Sequence, residues 1–253
     1  MRRSAGRWLI ATLAGVCLLT GTPAYADDIR VLSSVALKSV IEALAPEFAG
    51  ATTHTITPVF GIAAAIKTSI EGGEPFDVAV LTPAMLDDLA AKGFVESTSR
   101  PVVARAGLGL MIRAGAPKPD VSSVDAFTRT LLAARAVTYV PSGASGVAFL
   151  ATLDTLGIGE AVKAKARPAA TGDEVNASIA SGAADLAVLP ISEILPVRGA
   201  ELGGVFPPEI QSYIVMAAGV SRRSTRAAAA RELVAFLTAA KNTPVVRSKG
   251  MER

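Results

Sequence analysis

The stretch Arg30-Val31-Leu32-Ser33-Ser34-Val35-Ala36-Leu37-Lys38 joins a strand pattern to a helix pattern, with two hydroxyls at the joint. Ile29 to Leu32 is a short apolar run, β-branched at Ile29 and Val31, and predicts a buried strand. From Val35 to Phe48 the apolar residues Val35, Leu37, Val40, Ile41, Leu44 and Phe48 recur at helical spacing. Ser33 and Ser34 stand where a helix N-cap is expected. A strand that ends on hydroxyls and opens a helix leaves free N–H groups and a positive dipole end beside them, which suits an anion. The same serines also suit simple capping. Ser33, Ser34 and, one turn on, Lys38 are therefore candidate anion ligands with a structural alternative: two caps and a solvated lysine.

Outward from this stretch, strand and helix patterns alternate, which predicts an α/β protein with mainly parallel sheets. Thr55 to Phe60 reads as a strand, Gly61 as a turn and Ile62 to Ile70 as a helix closed by Glu71-Gly72-Gly73-Glu74-Pro75. Phe76 to Leu81 is a buried strand, and Thr82-Pro83 opens a helix that Gly93 ends. The texture then repeats. Leu108 to Ile112 and Ala136 to Val140 read as strands, with a helix from Val124 to Ala134 between them. Pro141 to Gly146 is a small-residue loop before a helix from Val147 to Leu156. Glu174 to Ala180 is helical, Asp185 to Leu189 is a strand stopped by Pro190, and Tyr213 to Ala217 is a further strand. Thr225 to Ala239 is a strong amphipathic helix. Two similar halves, each with a small-residue turn from strand to helix, predict two lobes around a cleft.

The N-terminus has a basic start (Arg2, Arg3, Arg7), an apolar run from Trp8 to Thr20 and a small-x-small site at Ala24-Tyr25-Ala26. This predicts a secretory signal peptide over residues 1–26, cut before Asp27, and a freely exported periplasmic protein. The cut removes Cys17, the sole cysteine, so neither disulfide nor thiol chemistry is expected. It also removes three arginines and no acids, leaving 22 basic residues against 22 acidic. That balance argues against a nucleic-acid partner or a charged membrane surface. The single histidine, His54, lacks ligand partners nearby and predicts no metal site, and neither metal nor cofactor is expected. No Gly-x-Ser-x-Gly elbow is present for Ser-His-Asp catalysis.

Val31 to Phe48, Phe60 to Leu81 with its Ile70-Glu71-Gly72-Gly73-Glu74-Pro75-Phe76-Asp77 core, Ser145-Gly146, Leu156-Gly157 and Glu174-Val175 together resemble one family. The chain is similar, over nearly its whole mature length, to periplasmic solute-binding proteins of the molybdate-binding-like branch of ABC transport systems. The resemblance implies a type II periplasmic binding protein fold: two lobes, each a mainly parallel sheet flanked by helices, with the ligand cleft between them. The implied division is 27–104 for the first part of lobe 1, 105–206 for lobe 2 and 207–253 for the segment returning to lobe 1. It further implies a monomer that hands its ligand to a membrane permease. Of the family's oxyanion contacts, the first-helix hydroxyl falls at Ala36, a second serine at Ala63 and a tyrosine at Pro190. Backbone donors at Ser145 and Val175 remain.

From the residues themselves, Gly61 and Ile62 offer backbone N–H groups at a second helix start, and packing is the equal alternative. Ser142 and Ser145 sit in the small-residue loop, where backbone can approach a ligand closely, or where the chain simply turns. Arg105 and Arg113 flank the crossing strand and could clamp a carboxylate. The expected function is capture of a small anion, an organic carboxylate first and a molybdate-type oxyanion second. The alternative, implied by relatives of this branch, is an aconitate isomerase using the same cleft, with Lys38 or Glu193 as its base.

Overall fold

The computed structural model describes residues 26–253. The expected signal segment up to Tyr25 lies outside the described residues. Strand β1 (Asp28–Ser34) takes in both serines and passes through a 3₁₀ turn, Val35–Leu37, into helix α1 (Lys38–Ala51). Then follow β2 (Thr55–Gly61), α2 (Ala63–Glu71), β3 (Val78–Leu81) and α3 (Pro83–Ala91). A long strand β4 (Val102–Arg113) leads to α4 (Val124–Ala133), β5 (Val137–Tyr139), α5 (Ala144–Thr155) and α6 (Gly159–Lys163). Next come β6 (Ala166–Pro168), α7 (Gly172–Ala180), β7 (Leu186–Pro190), α8 (Ile191–Ile194) and β8 (Ala200–Val205). The chain ends with β9 (Tyr213–Val220), α9 (Ala227–Thr238) and α10 (Thr243–Ser248).

The strands run in the order β2-β1-β3-β9-β4-β7-β5-β6, with β8 also on β4. Each half has a parallel nucleus: β1 lies parallel to β2 and β3, and β5 parallel to β6 and β7. Helical crossovers force this direction, as parallel neighbours need a long connection. The strands that join the halves are antiparallel. β9 pairs antiparallel with β3 and β4, and β4 antiparallel with β7 and β8.

β4 is the element shared by both halves. Its residues Val102 to Gly107 pair with β9, and Leu108 to Met111 pair with β7. The apolar signal used to place this strand began at Leu108, but Val103, Ala104 and Ala106 are fully buried too. Where the strand changes partners, Leu108 N donates to Gln211 Oε1 at 2.7 Å and Gln211 Nε2 donates to Leu108 O at 3.1 Å. The amide side chain thus stands in for a neighbouring strand, because one is missing at the crossing. The C-terminus closes on the same strand, through Arg105 N to Glu252 O and Glu252 N to Arg105 O, each 2.8 Å.

One difference from the sequence expectation shapes the cleft. Helix α5 begins at Ala144 rather than Val147, with Gly143 as its N-cap. The small residues Ser145 and Gly146 read as loop by propensity, yet they form the first turn. A β-carbon at Gly146 would lie 1.9 Å from Val140 O. Only glycine lets α5 start this close to the end of β5. Hydrophobic cores hold these parts in place: Phe48, Phe127 and Phe149 are fully buried, and burying such a side chain contributes about 1.5–3 kcal/mol each. Phe236 of α9 packs on Phe48 with ring centroids 5.3 Å apart, which returns the C-terminal helix to the first lobe.

Candidate functional site

The ends of β1 and β7 and the starts of α2, α5 and α7 converge on one small cavity between the lobes. Its volume is about 40 Å³, and Ser34, Ala36, Ile62, Ala63, Ser145 and Glu193 are in its wall. In this measure one water needs about 10–15 Å³, so the space suits a carboxylate or a compact oxyanion. The four residues Val35, Gly172, Leu189 and Glu193 also border a second, larger cavity of about 380 Å³, which Lys38, Asn176 and Arg198 help to line.

Local folding explains the donors in the inner cavity. Neither α2 nor α5 has a side-chain cap. Their first helical bonds are Ile66 N to Ile62 O and Val147 N to Gly143 O, both 3.0 Å. The amides ahead of those bonds, including those of Ala63, Ala144 and Ser145, have no helical acceptor, and these residues border the cavity. Two unsatisfied helix starts, one from each lobe, bring their positive ends to one place. The start of α7 is different. Thr171 accepts from Glu174 N at 3.3 Å, and Glu174 Oε2 accepts from Ala170 N at 2.8 Å, so this helix caps itself.

Four of the eight candidate residues lie along the cavities. Ser34, Ile62 and Ser145 border the inner one and Lys38 the outer. Ser34 is also a cap, accepting from Ala36 N at 3.3 Å, so both of its readings coexist. Ser33, Gly61, Ser142 and Val175 lie outside both walls. Ser33 is buried and donates to Ser34 O at 3.0 Å, because alternation along β1 turns it away from its neighbour. Ser142 is exposed on the loop. Val175 N already donates to Thr171 O at 3.2 Å, one turn into α7. Neither crossing arginine reaches the cleft. Arg105 pairs with Glu252 at 2.9 Å and stacks on Tyr213, and Arg113 is exposed beside a different cavity. His54 Nδ1 accepts from Asp27 N at 3.1 Å. Among the described residues, no group of three or more His, Cys, Asp or Glu is placed to hold a metal ion.

Among the described residues, Glu193 is the sole ionisable side chain bordering the inner cavity. Burial pushes its carboxyl up from 4.5 to about 7, because the closed cleft disfavours the charged form. Gly172 lies beside it: a β-carbon there would sit 3.8 Å from Glu193 Oε2, an ordinary contact. The residue before it ties the lobes together. Ser192 Oγ donates to Ala36 O at 2.8 Å in a buried bond between α8 and the 3₁₀ turn after β1. The sequence reading missed Ser192, Asn176 and Arg198. The one signal for Ser192 was a serine just after the strand-ending Pro190, at a helix of only four residues.

Two lobes joined through β4 and β9, with a cleft at the carboxyl ends of their parallel strands, define the type II periplasmic binding protein fold. The model of the family described as "Bacterial extracellular solute-binding protein" matches residues 29–252, and the chain belongs to that family. It is 32% identical to an aconitate isomerase from Pseudomonas sp., over 96% of each chain. Among solved structures it is similar to the periplasmic molybdate-binding protein of Azotobacter vinelandii, with a TM-score of 0.75 at 22% identity, covering 89% of this chain and 99% of that one. It is also similar to the substrate-binding domain of a molybdenum ABC transporter from Clostridium difficile. There the TM-score is 0.70 at 17% identity, covering 90% and 99%.

Proposed function

We propose that this protein is exported to the periplasm, captures a small organic carboxylate between its lobes and delivers it, as a monomer, to an ABC-type membrane permease. The observation that carries this reading is the inner cavity: two uncapped helix starts and Ser34 and Ser145 as donors, beside one carboxyl, Glu193, held near neutrality. A carboxylate has two oxygens to satisfy, and a protonated Glu193 donates to one of them. A fully dehydrated tetrahedral dianion asks for more. Every unpaired oxygen in a closed cleft is costly, and Ala36, Ala63 and Pro190 present no side-chain donor. Molybdate-type oxyanions are therefore the second choice. A thermal-shift screen of carboxylates and oxyanions tests this, because a ligand that binds only the native state raises its melting point. Stabilisation by molybdate at micromolar concentration, with none by carboxylates at millimolar, would overturn it.

A second reading has a specific basis in Glu193 and in the relative named aconitate isomerase. A general base works best with a pKa near the working pH, and Glu193 is near 7. Under this reading the cleft moves a proton within the bound acid. Turnover of trans-aconitate that disappears in Glu193→Gln, while binding persists, distinguishes catalysis from capture.

A further inference from the structure

The outer cavity has no role in holding a compact anion, yet it is built as part of the same cleft. It adjoins the inner chamber through Val35, Gly172, Leu189 and Glu193, and it is roughly nine times larger, about 380 against 40 Å³. Two cations border it. Lys38 is held only loosely, 3.9 Å from Glu42, and Arg198 is exposed and makes no ion pair or hydrogen bond among the described residues. Acceptors border it as well. Asp173 and Glu193 make no hydrogen bond through their side chains among the described residues. Ser39 and Asn176 are also in the wall, and Ser39 Oγ and Asn176 Oδ1 are buried with no hydrogen-bond partner. Buried polar atoms in native proteins are nearly always paired, and these two atoms, on residues that line the cavity, have no partner within the described residues.

An unpaired cation, a loosely held one and free acceptors side by side call for a guest that offers both carboxylate and hydroxyl. We infer that the two cavities are compartments of one site, and that its ligand is a hydroxy acid with a carboxylate at each end. One carboxylate occupies the inner chamber at the starts of α2 and α5. A hydroxyl lies in the passage beside Glu193. The second carboxylate reaches Lys38 and Arg198. This rests on the carboxylate reading above and narrows it. It also gives selectivity a physical source: a site built to pair a hydroxyl rejects the analogue that lacks one, because its own polar groups are left unpaired.

The test is calorimetry and thermal shift on the exported protein with acetate, with succinate against malate, and with tricarballylate against citrate. Each of the last two pairs differs by one hydroxyl. The hydroxylated member of at least one pair is expected to bind about tenfold or more tightly than its partner, and acetate more weakly than either. Arg198→Ala and Lys38→Ala should each lower affinity for that ligand about tenfold, the scale of a lost hydrogen bond to a charged group. Both side chains are exposed, so the unliganded melting point should hold, and acetate binding should stay within about twofold. Equal affinity for hydroxylated and plain acids, or variants that weaken acetate and the longer acid alike, would overturn the two-compartment site and leave the carboxylate reading standing. Failure of every carboxylate to bind would overturn both.

Discussion

Replacing Glu193 by glutamine should change how the protein's stability depends on pH, and the structure sets the sign and size of the change. Burial raises this carboxyl from 4.5 to about 7. Below pH 4.5 it is protonated in both folded and unfolded chains and costs nothing. Between 4.5 and 7 the folded chain keeps a proton that the unfolded chain has released, so stability falls as pH rises. Above 7 both states are ionised and the whole cost of burying the charge is felt. At about 1.4 kcal/mol per pH unit over that interval, the loss is about 3 kcal/mol. For a chain of this size that is roughly 6–12 °C in melting temperature. The charged groups nearby are Asp173 on α7, Lys38 and Glu42 on α1, and Arg198 after α8. All are present in wild type and variant alike, so the difference between the two curves isolates Glu193. Melting temperatures from pH 4.5 to 8.5 should coincide at the acid end and diverge with rising pH, Glu193→Gln being the more stable at pH 8. Parallel curves, or a variant less stable at pH 8, would refute the buried, unpartnered carboxyl.

Ser145→Ala should weaken carboxylate binding about tenfold with little effect on unliganded stability, whereas Ser34→Ala should also cost about 1 kcal/mol of stability through its lost cap; calorimetry and melting curves read the two effects separately. Ser192→Ala removes the buried bond to Ala36 O and should lower ligand affinity by about two- to tenfold, and an unchanged dissociation constant would show that this bond does not hold the lobes together. Gly146→Ala places a β-carbon against Val140 O and should destabilise the fold by about 1–3 kcal/mol, visible as a shifted denaturant midpoint. Binding at pH 8, where the unliganded carboxyl is mostly ionised, should take up about one proton, because a bound carboxylate favours the protonated, donating form of Glu193; this is measured as a dependence of the calorimetric enthalpy on the buffer used, and no such dependence would mean that Glu193 keeps one charge state throughout.

How much of this was legible in the sequence differed from element to element. The joint from Val31 to Lys38 was readable because strand, cap and helix signals agree there, and β1, its hydroxyls and α1 follow that order. Which serine faces the cleft was not, since two adjacent strand residues point to opposite faces and the register depends on β2 and β3. The start of α5 was hidden for another reason. Ala-Ser-Gly is a weak helix signal, and what makes it helical is the close approach to Val140, a contact between elements. The outer cavity drew on residues from three separate segments: Lys38 and Ser39, Asp173 and Asn176, and Arg198. No spacing rule connects these, because only the closure of two lobes brings them together.

Helix α8 shows why closure and charge belong to one mechanism here. It is four residues long, and three of them in a row meet different surroundings. Ile191 lies against Gly250 near the C-terminus, so closely that a β-carbon on that glycine would come within 2.6 Å of it. Ser192 binds Ala36 O on the other lobe. Glu193 borders both cavities. The raised pKa of Glu193 has one cause, burial, and Ser34, Val35, Ala36 and Ile62 of the opposite lobe border the same inner cavity. When the lobes part, water reaches the carboxyl and its affinity for the proton falls back toward the ordinary carboxylate range. Whatever holds the lobes together therefore holds the proton as well. Under the capture reading, opening of the cleft would release the proton together with the anion. An isomerase would use the same property differently: the closed cleft keeps its base near neutrality, and the substrate that closes the cleft is the one from which a proton is moved.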